Sequence, residues 1–64
     1  MRIAIDAMGG DFAPDEILAG VIEAIPFLEK GDSLILLGPA EVIENKLGKA
    51  LHKHADVLRI VNAP

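Results

Sequence analysis

The sequence has no cysteine, tryptophan or tyrosine, and its aromatic residues are Phe12 and Phe27 alone. Without cysteine no disulfide can compensate for a small core, so a chain of 64 residues makes at most one small domain. Positive charge is scarce as well: 6 Lys and Arg stand against 10 Asp and Glu, for a formal net charge of -4. That balance lacks the basic footprint of a nucleic-acid or anionic-membrane binder. No apolar run approaches the ~20 residues of a membrane span, and the N-terminus lacks the charged-then-apolar layout of a signal peptide. A cytoplasmic location is the resulting expectation. Hydroxyl nucleophiles are nearly missing too. There is no threonine, and the only serine, Ser33, opens a strand candidate away from any expected site. A covalent acyl-enzyme built on these residues is therefore not expected.

What is abundant is aliphatic. Hydrophobic residues make up 52% of the chain. With two phenylalanines only, the core must be made of Ile, Leu, Val and Ala. Ile3-Ala4-Ile5 and Leu34-Ile35-Leu36-Leu37 are near-continuous apolar runs, the pattern of strands buried on both faces. Between them Ile17, Leu18, Val21, Ile22, Ile25 and Leu28 recur at helical spacing, opposed by Glu16, Glu23 and Lys30. This helix is expected to open near Phe12 to Pro14, with Asp15 and Glu16 favouring its positive end, and to stop or kink near Ile25 because Pro26 follows. Gly20 weakens it unless close packing on the sheet requires a missing side chain. A second helix is expected from Pro39 as its first residue, with Val42, Ile43, Leu47, Ala50, Leu51 and His54 keeping the repeat across Gly48, where it can break. Strands are expected over residues 2 to 7, 33 to 38 and 57 to 61. The order β-α-β-α-β with short connections predicts an α/β fold with a Rossmann-like parallel sheet. Two consecutive right-handed crossovers can place both helices on one side of a three-strand sheet. The bare second face predicts that residues 1–64 are the N-terminal part of a larger α/β/α sandwich, or that something else covers that face.

The stretch Ile3-Ala4-Ile5-Asp6-Ala7-Met8-Gly9-Gly10-Asp11-Phe12-Ala13-Pro14 carries the chemistry. A strand runs into a carboxylate, then a double-glycine turn, a second carboxylate, and a proline that opens a helix. In open α/β sheets ligands bind outside the carboxyl ends of the strands, which is where Asp6 and this turn fall. Gly9 and Gly10 permit positive φ and let backbone N–H groups approach an anion, so a phosphate-sized guest fits. Asp6 either ties down the turn by accepting backbone N–H bonds or contacts a ligand directly. Asp11 either caps the helix or meets a cation. Asn62 closes the third strand beside the same crevice. The candidate site is thus Asp6, Gly9, Gly10, Asp11 and Asn62, with no catalytic residue singled out. The spacing G-x-G-x-x-G and the Walker loop are absent, so no nucleotide cofactor is expected. His52 and His54 point about 200° apart on a helix and cannot share one metal ion, so no metal site is expected.

The run Asp6-Ala7-Met8-Gly9-Gly10-Asp11-Phe12-Ala13-Pro14 resembles the N-terminal signature of bacterial phosphate acyltransferases of phospholipid synthesis. Met1-Arg2, Leu34-Ile35-Leu36-Leu37-Gly38 and Ile60-Val61-Asn62-Ala63-Pro64 resemble that family in the same order, so the likeness spans the whole chain. Many members carry histidine where this chain has Phe12 and Asn62, and phenylalanine also occurs at the first place. The resemblance implies an enzyme that makes acyl phosphate from acyl-acyl carrier protein and inorganic phosphate. It also implies a chain several times longer, dimeric when complete, with peripheral membrane contact through later sequence. Acyl carrier protein is acidic, so docking is expected outside these acidic 64 residues.

Other readings can be weighed on the same residues. Sugar-kinase and actin-like ATPases place an Asp and glycines after a first strand, but a hairpin follows there, whereas Pro14 and the stripe from Ile17 to Leu28 predict a helix. Haloacid-dehalogenase-like phosphatases need a second Asp two residues after the first, where this chain has Met8. A non-catalytic phosphoryl-ligand binding or assembly module, completed by a partner, stays open.

Overall fold

The structure is a computed structural model that describes residues 1–10 and 13–63. Strand β1 (Arg2–Asp6) is followed by helix α1 (Asp15–Ala24) and a 3-10 turn (Ile25–Phe27). Strand β2 (Ser33–Gly38), helices α2 (Ala40–Leu47) and α3 (Lys49–Lys53), and strand β3 (Leu58–Asn62) complete the order. The strands form one parallel sheet in the order β1-β2-β3, so the chain is α/β and Rossmann-like as its hydrophobic pattern predicts.

The breaks between elements have local causes. Pro26 has no N–H to continue the α ladder, so α1 ends at Ala24 and the chain tightens into a 3-10 turn closed by Leu28 N–H to the Ile25 carbonyl at 3.1 Å. Gly48 takes φ +54° and ψ -127°, a conformation closed to residues with a Cβ, and this divides the second helical region into α2 and α3. Two expectations are corrected. Pro39 has extended ψ of 111° and is the residue before α2, because its ring fixes φ and leaves ψ free to turn the chain out of β2. Gly20 is exposed and a Cβ there would meet nothing within 4 Å, so close packing does not explain it. The strands shift by single residues, β1 ending at Asp6 and β3 running from Leu58 to Asn62.

Register shows why the core lies where it does. Ile5, Leu36 and Ile60 are direct neighbours across the sheet, and Leu34 pairs with Leu58. Parallel partners share a face, so these side chains point together. Leu18 and Val21 of α1 and Ile43 and Leu47 of α2 meet Leu34, Leu36, Leu58 and Ala7 in a single cluster, so both helices cover that same face. The alternate rows, Ala4-Ile35-Arg59 and Asp6-Leu37-Val61, belong to the face without helices. Ile35 and Leu37 are half-buried there and Val61 is 41% exposed. An exposed ion pair between Asp15 and Lys46, 3.0 Å long, joins α1 to α2 and contributes little.

The amino-terminal edge of the sheet is tied by Asp32. Its carboxylate accepts from the Met1 ammonium at 2.8 Å and from the Glu29 N–H at 3.0 Å. The hydrogen bond from the Met1 ammonium, then that from Glu29, holds the Asp32 carboxyl below its ordinary range.

Candidate functional site

At the opposite, carboxyl edge three chain turns converge. The first leaves β1. Ala7 is fully buried and its N–H donates to the Leu37 carbonyl at 2.9 Å, carrying the ladder one bond past Asp6. Asp6 then shapes the turn twice over. Its Oδ1 accepts the Met8 N–H at 2.9 Å, and its backbone carbonyl accepts the Gly9 N–H at 3.3 Å. Of the two roles open to Asp6, tying down the glycine turn is the one its bonds perform. Gly9 passes close to it: a Cβ built there would lie 3.5 Å from Asp6 Oδ2. Gly10 adopts φ +106°, which a side chain would strain, and a Cβ there would meet nothing within 4 Å. The double glycine is therefore used for backbone shape at its second position.

The second turn leaves β2 through Gly38 and Pro39. Gly38 is buried, and a Cβ there would sit 3.1 Å from Ile43 Cδ1 and 3.5 Å from Met8 Cγ, so its bare backbone lets the first turn and α2 approach. The third turn leaves β3. Ala63 N–H donates to the Gly38 carbonyl at 2.8 Å, and Asn62 Oδ1 accepts the Ala40 N–H at 2.8 Å.

Asp6, Met8, Leu37, Gly38, Pro39 and Ala63 enclose an open cavity of about 430 Å³ at this edge. The structure thus brings Asp6 to the cavity and sets Gly9 against Asp6. Asn62 lies next to Ala63 with its side-chain oxygen turned to α2. Asp11 falls outside the described residues. Met8, Leu37, Gly38, Pro39 and Ala63 are lining residues that motif reading missed. For Pro39 and Ala63 the signal was available, since both directly follow a strand at its carboxyl end. For Met8 it was not, because an exposed methionine in a loop has no distinctive spacing.

Among the described residues the lining is a mostly apolar wall with one carboxylate and no Lys, Arg or His. A doubly charged phosphate beside Asp6 would be repelled unless a cation or basic group came from elsewhere. Other cavities lie away from the strand ends. One, between α1 and α2, is lined by Asp15, Leu18 and Lys46 among others; another surrounds Gly48. Neither touches the glycine turn. Among the described residues no three His, Cys, Asp or Glu side chains gather as a metal-binding group.

The family model described as "Fatty acid synthesis protein" matches residues 1–64. The chain belongs to that family. Among its relatives, a protein of Salinibacter ruber named phosphate acyltransferase is 43% identical over 63 residues, covering 98% of this chain and 19% of the relative. A phosphate acyltransferase of Gloeobacter violaceus is 45% identical over 64 residues, covering 100% of this chain and 18% of its own length. One of Thermotoga neapolitana is 53% identical over 45 residues, 70% of this chain and 13% of the relative. This family chain therefore spans less than a fifth of the length of these curated relatives. Its glycine turn and the ends of β2 and β3 all fall inside the matched region. No helix among the described residues is long and apolar enough to cross a membrane.

Proposed function

We propose that residues 1–64 are the N-terminal part of a single larger α/β domain, and that the complete protein makes acyl phosphate from acyl-acyl carrier protein and inorganic phosphate. The observation that carries this reading is the match over the whole chain to relatives named phosphate acyltransferase. The shaped glycine turn at the carboxyl edge of the sheet supports it. Within the reading, a phosphate oxygen attacks the thioester carbonyl carbon, the C–S bond breaks, and the carrier thiolate leaves and takes up a proton. No nucleophile from these residues is required, which agrees with a cavity lining that offers no hydroxyl or thiol. The protein's part is to position phosphate and stabilise the oxyanion. Gly9 and Gly10 supply backbone, Asp6 holds their turn, and Asp11 completes the candidate loop.

The cation that offsets Asp6 comes from later sequence, as does the basic surface that receives acidic carrier protein. Assembly into a homodimer and peripheral contact with a membrane belong to the same reading, in a cytoplasmic enzyme. The deciding experiment mixes the full-length protein with acyl-acyl carrier protein and phosphate, and follows acyl phosphate and free thiol. Both must appear, and only with phosphate present. Gly10→Val, which forces a β-branched residue into φ +106°, should reduce the rate at least tenfold with the fold retained. Phosphate binding without turnover by the folded protein would instead mark a non-catalytic phosphoryl-ligand module.

A further inference from the structure

We infer that Asn62 is a positioning residue, which clamps the turn after β2 to the end of β3 and so fixes one wall of the cavity; its place in a reaction rests on the acyltransferase reading above. The first N–H groups of a helix have no intrahelical acceptor. At α2 the residue before the helix is Pro39, which has neither an N–H nor a side-chain oxygen to serve as a cap. The acceptor for Ala40 is supplied from 22 residues away by Asn62 Oδ1 at 2.8 Å. A backbone N–H only donates, so this bond also fixes which end of the Asn62 amide faces α2.

The second half of the clamp is the Ala63 N–H to the Gly38 carbonyl, also 2.8 Å. Together the two bonds bracket Pro39, one gripping the residue before it and one the residue after. Gly38, Pro39 and Ala63 all line the cavity. The space a Cβ on Gly38 would need lies 3.5 Å from Met8 Cγ and 3.1 Å from Ile43 Cδ1, so the clamp borders the turn that carries Gly9 and Gly10. The Asn62 oxygen is thereby committed to backbone, and the first N–H of α2 is occupied by protein.

The test compares Asn62→Ala, which deletes the acceptor, with Asn62→Asp, which keeps an oxygen in the same place. Both are made in the full-length protein. Two quantities are read: hydrogen exchange at the Ala40 amide, and kcat and KM for acyl-phosphate formation at high ionic strength, where added charge is screened. Asn62→Ala should speed Ala40 exchange at least tenfold and lower kcat/KM about tenfold. Asn62→Asp should restore protection at Ala40 and bring kcat to within about threefold of the parent. If Asn62→Asp protects Ala40 yet is as slow as Asn62→Ala, the amide N–H₂ contacts the reactants and the positioning role is overturned. Unchanged exchange in Asn62→Ala overturns the clamp itself. A parent that makes no acyl phosphate defeats the acyltransferase reading alone, and Ala40 exchange then decides the clamp by itself.

Discussion

The two sides of strand β2 are nearly alike in their apolar residues and meet opposite surroundings. On one face Leu34, Leu36 and Leu58 lie beneath α1 and α2, and Leu36 has no exposed surface at all. On the other, Ala4, Ile35, Leu37 and Val61 stand without any covering element among the described residues, interspersed with Arg2, Ser33, Asp6 and Arg59. A strand that faces water on one side alternates apolar with polar residues, whereas one buried on both sides does not. β2, reading Ser-Leu-Ile-Leu-Leu-Gly, is of the second kind. The difference teaches that hydrophobic pattern and exposure are separate records: β2 is apolar on both sides, while α1 and α2 cover only one of them.

The largest effect expected is on the covered face. Leu36→Ala should destabilise the full-length protein by about 2–5 kcal/mol, read by urea denaturation, because a fully enclosed side chain leaves a cavity behind it. The matching change on the open face, Leu37→Ala, is the sharper probe. If later sequence covers that face, the loss in the full-length protein should be about 1.5–3 kcal/mol, the scale of full burial of a leucine. A loss below about 0.5 kcal/mol, the range of ordinary surface substitutions, would leave the asymmetry intact in the whole molecule and break the larger-domain reading.

Smaller again is the effect at Asp6, in the same row as Leu37. Asp6→Ala removes the acceptor for Met8 N–H and should cost about 0.5–1.5 kcal/mol, whereas Asp6→Asn keeps an oxygen and should cost less than half of that. Equal losses in the two variants would mean that the charge, and not the hydrogen bond, holds the turn. The smallest effect lies on neither face. Asp32 has its folded pKa lowered below 3.8, so its contribution is fully present above that value and is lost as pH falls through the lower folded value. Denaturation midpoints of Asp32→Asn should therefore fall less steeply between about pH 4 and 2 than those of the parent.

Much of this was legible from residue pattern because the determinants are local. Apolar runs mark β1 and β2, the stripe from Ile17 to Leu28 marks α1, and Pro26 marks its end. The helical layer on one side follows from right-handed crossovers once the strands lie in the order β1-β2-β3, an order that the sequence allows and the structure shows. Which face that layer covers is not legible in β2, where Ile35 and Leu37 are as apolar as Leu34 and Leu36; the signal lies in β1 and β3, where Arg2, Asp6 and Arg59 stand opposite Ile3, Ile5, Leu58 and Ile60. The role of Asp6 was half legible: a carboxylate before a glycine turn accepts nearby N–H groups, and sequence leaves ligand contact open beside it. Asn62 was found by position, but its bond to Ala40 was not legible. Its partner Ala40 is distant in sequence, and only the pairing of β3 beside β2 brings the two together.

The strand order β1-β2-β3 has a consequence for how the protein is made. Each strand pairs with the one synthesised just before it, and no described strand must wait for a later one to slip between neighbours. Pairing partners such as Arg2 with Ser33 and Leu34 with Leu58 are separated by one helical crossover only, so loop-closure entropy stays modest at every step. The sheet can therefore grow by addition at one edge while the polypeptide is still emerging from the ribosome. In that order the apolar stripes of α1 and α2 acquire a surface to settle on as soon as β2 and β3 are in place.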